Sequence, residues 1–283
     1  RITIRQLASH TSGLPDMVSP ASGALIAPTP ADAWRRVQQL PMASRPGTRW
    51  RYNQTNYWLL GRAVERVTGE SLEQVVGRQF AAAGMTSASY GDIHDIRAHA
   101  TDTYTFFRVR GDSMWRDTTL QRVVVEFPAP LRMAGGINAS ARDVARWLIA
   151  LTDGTLLQRP DSRDTLWASP RMASGRRLGA GETNGYGIGW PTFDDPRHPS
   201  VAGIGGGRAA FFLYPRDTLA VVVLTNLQGA RPELLAQRLA QRELGLSPAP
   251  PPEERPRDAP RRETHSASGP CTGRTRAGTR PWS

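Results

Sequence analysis

The chain has 283 residues, 39% of them hydrophobic, and a formal net charge of +11. This length allows one large domain or two small ones with a buried core. The single cysteine, Cys271, excludes an internal disulfide. The sequence contains no run of about 18 apolar residues, so it predicts no membrane span. The arginines are scattered and no aromatic-rich RNA motif accompanies them, which argues against nucleic-acid binding.

The first predicted elements are helices. Thr3 and Gln6 have the spacing of a capping box, which predicts a short helix that ends near His10. A second helix is predicted over residues 31–40, and its apolar face holds Trp34, Val37 and Leu40.

Two longer helices follow. Thr55 is the predicted N-cap of a helix with an apolar stripe, and Gly69 is its predicted end. Ser71 and Gln74 form a second capping box, which predicts a helix through about Ala83.

The middle of the chain mixes strand and helix signals. Residues 101–110 and 121–127 are rich in aromatic and β-branched side chains, and we predict two strands there. Ser140 and Asp143 predict a capped helix that ends near Leu151. A further strand is predicted over residues 186–190.

The C-terminal part predicts a hairpin and a helix. Residues 207–214 and 219–225 are apolar runs joined by a turn, which is typical of two buried strands. Pro232 opens a helix whose predicted inner side carries Leu234, Leu235, Leu239 and Leu244. We predict one domain over 1–245 and a disordered tail rich in Pro and Arg over 246–283.

Three motifs occur in a fixed order along the chain. They are His-Thr-Ser-Gly-Leu-Pro over residues 10–15, Tyr-Asn-Gln over 52–54 and a glycine-rich segment over 203–207. Together they resemble the serine β-lactamase-related family, which includes class C β-lactamases, D-alanyl-D-alanine carboxypeptidases and esterases. The resemblance covers roughly residues 1–244 and implies an α+β fold of the β-lactamase and transpeptidase type, with an antiparallel sheet, flanking helices and a mostly helical region.

The nucleophile of that family lies in a Ser-x-x-Lys turn. These 283 residues contain no lysine, so they contain no such turn. The expectation is therefore an N-terminally truncated fragment that lacks the central nucleophile helix and is inactive alone. An exposed apolar groove is expected beside Tyr52 and Gly206, where that helix would pack.

The resemblance assigns the remaining site residues. Tyr52 would be the general base or proton relay, and Gln54 stands where the family has Asn. Aligning the third motif places the usual cation at Gly203, the usual hydroxyl at Ile204 and the motif glycine at Gly205, while the N–H of Gly206 would be an oxyanion donor. The open alternatives are an aromatic lid at Tyr52 and a glycine-rich strand start without function.

Other polar residues carry weaker signals. In a regular strand Arg208 would face away from Gly203, which makes it a poor substitute for the missing cation. His10 is expected to be a structural element of its loop near a helix end. A metal site is not expected, because Asp92, His94, Asp95 and His99 fit no ligand spacing.

The function implied by the resemblance is a serine hydrolase that cleaves a small ester or amide through an acyl-enzyme. Esterase activity is expected over β-lactamase or peptidase activity, because Gly203 and Ile204 remove polar contacts to a substrate carboxylate. The alternative is a non-catalytic binding or scaffold relative. No cofactor is expected, the oligomeric state is left open, and the family weakly favours the periplasm or secretion.

Overall fold

The computed structural model describes residues 1–17, 29–91, 95–110, 113–123, 129–172, 174–175, 178, 183–206 and 208–247. These residues belong to one compact unit, Arg1–Pro248. The predicted tail lies outside the described residues from position 248 onward, and its boundary with the domain stays a prediction.

The first part of the unit is helical, as predicted. Its helices are α1 (Ile4–Ala8), α2 (Pro30–Gln39), α3 (Gln54–Thr68) and α4 (Leu72–Ala82). The predicted capping boxes at Thr3 and Ser71 are both present, and Gly69 ends α3 in the left-handed conformation. On α2 the prediction was wrong for Trp34, whose side chain is 48% exposed; Ala33 and Val37 are the buried residues.

The start of α3 differs from the prediction. Asn53 is the N-cap and makes no capping bond with its side chain, and Thr55 lies inside the helix. The hydroxyl of Thr55 instead donates to the Pro15 carbonyl and accepts the Met17 N–H, at 2.9 Å in both cases. Thr55 therefore ties α3 to the loop that follows α1.

The central part contains two small antiparallel pairs. Strands β2 (Thr103–Arg110) and β3 (Ser113–Val123) form a hairpin, so the second strand starts earlier than predicted. Strands β1 (Ser89–Tyr90) and β4 (Ile137–Asn138) form the other pair, and the short helix α5 (Ala129–Gly135) was not predicted.

Two helices precede the main sheet. The predicted capping box at Ser140 opens α6 (Ala141–Thr152), and Asp143 also accepts a hydrogen bond from Ser87. Helix α7 (Pro160–Trp167) was missed because its sequence is mostly polar. Leu148 and Leu151 of α6 are buried, as predicted.

The main sheet is antiparallel and has the strand order β5-β6-β7-β8-β9. Its strands are β5 (Gly185–Tyr186), β6 (Pro191–Phe193), β7 (Ser200–Gly205), β8 (Ala209–Tyr214) and β9 (Leu219–Leu224). The predicted hairpin is confirmed as the pair β8 and β9, whereas the strand predicted over 186–190 is wrong beyond Tyr186, because β5 ends there and β6 begins only at Pro191. The α+β fold is thereby confirmed.

The last helix, α8 (Pro232–Glu243), packs on β8 and β9. Its predicted inner face was wrong for Leu235 and Leu239, which are 51% and 39% exposed, while Ala236 and Ala240 are fully buried beside Phe212. The predicted Leu244 is partly buried against the same cluster. Small side chains let the helix backbone lie close to the sheet, so a row of alanines four residues apart forms the contact. In the part of the chain that the structure describes, no helix has the length and apolarity needed to cross a membrane.

Exchanging residue size on the two faces of α8 tests this packing. We expect Ala240→Leu to lower the free energy of unfolding by about 1–3 kcal/mol, because a larger side chain cannot enter the contact without displacing the helix. Leu239→Ala is the matched control and should cost less than about 1 kcal/mol. Urea denaturation measures both, and a larger loss from Leu239→Ala would place the leucines on the inner face.

Candidate active site

The loop after α1 lies against the segment that leads into α3. His10 has a φ of 56°, in the left-handed region, and its carbonyl oxygen accepts the Arg51 N–H at 3.0 Å. Its Nδ1 accepts the Asn53 N–H at 3.2 Å. The backbone N–H groups of Arg51 and Asn53, the two residues that flank Tyr52, are therefore both hydrogen-bonded to one buried histidine, which is 2% exposed.

A chain of buried polar groups sets the proton position on His10. Leu14 N–H donates to the Ser12 hydroxyl, and that hydroxyl donates to Asn56 Oδ1 at 2.6 Å. The Nδ2 of Asn56 therefore points to His10 Nδ1, at 3.2 Å. Because both neighbours of Nδ1 are N–H donors, the neutral imidazole carries its proton on Nε2.

Burial keeps this imidazole neutral. Desolvation lowers the pKa of His10 to about 4, and the hydrogen bond from Asn53 opposes part of that shift. A proton on Nδ1 would also face two N–H groups, so the neutral form is the one that fits the hydrogen bonds.

Aromatic rings surround His10 and connect it to the sheet. Its ring centroid lies 4.5 Å from that of Tyr52, 5.1 Å from Tyr57 on α3 and 5.1 Å from Tyr186 on β5. The ring of Trp50 contacts the same Tyr186, at 5.6 Å. The Tyr52 segment therefore adjoins the β5 edge of the main sheet.

Tyr52 is the exposed member of this group, with 52% of its surface accessible. Gln54 Nε2 donates to its phenol oxygen at 3.4 Å, a long hydrogen bond. Partial burial raises the pKa of the Tyr52 phenol; Gln54 lowers it and the negative charge of Asp16 raises it further. At neutral pH the phenol holds its proton.

A small cavity of about 200 Å³ lies behind this segment. His10, Asn53 and Trp50 contribute to its wall, together with the loop at Ser12–Leu14 and Arg49. Neither Tyr52 nor Gly206 lines it, so it is not the large apolar groove that we predicted, and that groove stays a prediction.

The third motif lies at the end of β7. Gly203 pairs with Phe211 of β8, and a Cβ built on Gly203 would overlap the Phe211 ring. That ring is held 5.7 Å from Trp190, in the core cluster that includes Leu148. A side chain at position 203, where the resemblance predicts a cation, would therefore meet an aromatic ring, while Ile204 is 44% exposed.

The prediction for Arg208 rested on a regular strand, which does not continue to this residue. Strand β7 ends at Gly205, and Gly206 turns the chain with a φ of 59°. A Cβ on Gly206 would lie 4.0 Å from Nε and from Nη2 of Arg208, so the guanidinium adjoins Gly206. Nη1 of Arg208 donates to the Thr103 hydroxyl at 2.6 Å, which fixes this position.

The structure thus groups the predicted site residues in two places. Tyr52 and Gln54 lie together beside β5, and Gly203, Ile204, Gly205 and Gly206 lie together at the end of β7, two strands further into the sheet. The joining of these two places in one cleft remains a prediction.

The hydrogen-bond network of His10, Ser12 and Asn56 was not predicted from the sequence. Helix α1 ends at Ala8, so His10 lies beyond its last turn in a left-handed conformation rather than at the helix end. The available signal was the polar sequence around His10 next to a glycine, which is unusual for a buried segment. Among the described residues, no group of three or more His, Cys, Asp or Glu side chains could hold a metal, and two of the four residues considered, Asp92 and His94, lie outside them.

Comparison with known proteins gives consistent matches. The Beta-lactamase family matches residues 1–246. Protein flp of Staphylococcus aureus (strain COL) is 24% identical over 243 residues, covering 84% of this chain and 46% of that protein. The octameric penicillin-binding protein homologue from Pyrococcus abyssi has a TM-score of 0.69 at 21% identity, covering 87% of this chain and 56% of that one.

A second solved structure is EstCE1, a hydrolase with promiscuous acyltransferase activity. Its TM-score is 0.62 at 23% identity, with 83% of this chain and 70% of that chain covered. At these identities both structural matches show the fold. The chain spans about half the length of protein flp.

Adding one methyl group at two glycines tests the packing of the third motif. We expect Gly203→Ala to lower the free energy of unfolding by about 1–3 kcal/mol, because the Phe211 ring must leave its place against Trp190. Gly205→Ala is the matched control, since a Cβ there would meet no atom within 4 Å. Urea denaturation distinguishes them, and equal effects would contradict the described position of Phe211.

Stability should also depend on pH through His10. The folded-state pKa, about 4, lies below the ordinary 6.5, so the unfolded chain binds a proton that the folded chain does not. The contribution is complete above pH 6.5 and is lost as pH falls towards 4, by roughly 3 kcal/mol. His10→Asn should remove this part of the pH dependence in urea denaturation between pH 7.5 and 4.5. Parallel curves for the two proteins would show that His10 does not titrate in this way.

Proposed function

The chain belongs to the Beta-lactamase family, and from that premise we propose that its site serves the hydrolysis of a small ester or amide through an acyl-enzyme on a serine. The proposal rests on the chain's own residues. The observation that carries it is the placement of Tyr52, whose phenol is exposed while the N–H groups of both flanking residues are hydrogen-bonded to His10.

Because the pKa of the Tyr52 phenol is raised, the phenol suits the role of a proton relay better than that of a base that is already deprotonated. A phenol that keeps its proton at neutral pH can accept the serine proton only as it passes its own proton on. In the first step the serine oxygen bonds to the carbonyl carbon, and the phenol delivers a proton to the leaving alcohol or amine as the carbon–heteroatom bond breaks. Water then attacks the acyl-enzyme, its proton returns through the same phenol to the serine oxygen, and the acid is released.

The negative charge that develops on the carbonyl oxygen of the substrate requires hydrogen-bond donors. The backbone N–H of Gly206 is the proposed donor from this chain, and the Arg208 guanidinium beside it adds a fixed positive charge. Arg208 is anchored by Thr103, so little reorganisation is needed when that charge forms.

The proposed nucleophilic serine and the lysine of its Ser-x-x-Lys turn would be supplied by a segment other than these 283 residues. These 283 residues contain no lysine, and arginine cannot exchange a proton at neutral pH. We therefore propose that the chain alone is inactive and that activity requires a polypeptide that also contains a Ser-x-x-Lys turn.

The third motif favours esters over substrates recognised through a carboxylate. The Phe211 ring occupies the side-chain space at Gly203, and Ile204 offers no hydroxyl. Both changes remove polar contacts that a carboxylate would need.

A second candidate is a non-catalytic binding module. The observations that favour it are the same two replacements, at Gly203 and Ile204, together with the lack of lysine. Such a module would bind an acyl compound in the cleft and release it unchanged.

Labelling and turnover distinguish the two candidates. The chain alone should not react with a fluorophosphonate serine probe. A gene product that carries Ser-x-x-Lys ahead of Arg1 should react, and it should hydrolyse p-nitrophenyl acetate faster than a chromogenic cephalosporin. Tyr52→Phe should lower its kcat for the ester by about 10²–10⁴-fold while the protein stays folded, because the relay is lost.

The outcomes assign the function as follows. Labelling of the chain alone would contradict the requirement for a second segment. A longer product that binds the ester without turnover would support the binding module, and faster cephalosporin turnover would reverse the proposed specificity.

A further inference from the structure

We propose that His10 is the positioning residue for Tyr52, accepting hydrogen bonds from the N–H groups of the residues on both sides of it and forming the wall against which its ring lies. The proposal deepens the proposed function, since it gives Tyr52 its place in the relay. It concerns a residue that contacts no reacting atom.

His10 accepts hydrogen bonds from the residues on both sides of Tyr52. The His10 carbonyl takes the N–H of Arg51 at 3.0 Å, and His10 Nδ1 takes the N–H of Asn53 at 3.2 Å. Because both acceptors belong to one residue, the backbone at Tyr52 cannot move relative to His10 without breaking at least one of these hydrogen bonds. Half of the Tyr52 side chain is exposed, and the ring contact with His10 at 4.5 Å restrains the other side.

The second argument is that His10 is itself immobile. It is buried, its ring contacts Tyr57 and Tyr186, and the Nδ2 of Asn56 reaches its Nδ1. The neighbouring Thr11 N–H donates to the Gln6 carbonyl at 2.9 Å, which ties the loop back to α1. Because these contacts hold His10 in place, its hydrogen bonds to the flanking residues also hold Tyr52 in place.

The third argument concerns charge. The titratable groups that face His10 are the phenols of Tyr52 and Tyr57 from the α3 side and of Tyr186 from β5. Burial raises the pKa of both Tyr57 and Tyr186, so these phenols remain neutral. A proton added to Nδ1 would meet the N–H groups of Asn53 and Asn56, and the hold on Tyr52 would be lost together with imidazole neutrality.

The test follows the phenol directly, without turnover. The chain has six tyrosines, so 3-fluorotyrosine labelling gives six ¹⁹F signals, and Tyr52→Phe identifies the one from Tyr52. In His10→Leu we expect the Tyr52 signal to move to the shift of free 3-fluorotyrosine and its phenol pKa to fall to the free value. The signals of Tyr90 and Tyr214 should stay in place.

The matched variant is His10→Asn. Asparagine keeps an acceptor near the position of Nδ1 and tolerates a positive φ, so the Tyr52 signal should remain near its original shift. Should His10→Leu fail to fold, acid titration of the unaltered protein replaces it: the Tyr52 signal should move with an apparent pKa of about 4 while that of Tyr214 does not. An unmoved Tyr52 signal, or a common shift of all six signals, would overturn the proposal.

A kinetic measurement on the product that carries Ser-x-x-Lys completes the test. His10→Leu should lower kcat by about 10²-fold with KM within about 3-fold, because a displaced relay affects the reaction step more than substrate binding. His10→Asn should recover most of the loss. If the unaltered product shows no turnover, the proposed function fails, whereas the ¹⁹F result still decides the role of His10.

Discussion

The buried imidazole of His10 is the constraint on which the described site depends. It joins the loop after α1 to the segment before α3, and it does so with acceptors on both its backbone and its side chain. Burying an imidazole is unfavourable for its charged form, and the surrounding hydrogen bonds suit only the neutral one. Desolvation, which lowers the pKa of His10, therefore also favours the neutral imidazole that accepts the hydrogen bond from Asn53.

The main sheet imposes a second constraint. Strands β7 and β8 carry glycine and alanine where they face each other at the turn, and the larger side chains of β8 fill the space on both sheet faces. The turn at Gly206 then returns Arg208 to the strand end, so a cation lies near the third motif although no cation lies within it. The membership in the Beta-lactamase family and the departure from its usual third motif are thus compatible within one sheet.

Local signals in the sequence predicted most elements correctly, because capping boxes and apolar hairpins act over a few residues. The boxes at Thr3, Ser71 and Ser140 and the pair β8 and β9 are examples. Two of the errors involve tertiary contacts: Thr55 bonds to a distant loop, and the inner face of α8 is determined by the close approach of the sheet. For the site, the motifs located Tyr52 and the glycine turn, but the role of His10 depends on partners more than 40 residues away, which no periodicity reveals.

The Phe211 ring over Gly203 has an evolutionary consequence. A lysine or histidine at position 203 would be harmful while the ring is present, and loss of the ring alone would leave a void beside Trp190. The two positions are therefore epistatic, and neither single step is neutral. A descendant of this sequence would accommodate a cationic side chain at position 203 only through a paired change at positions 203 and 211.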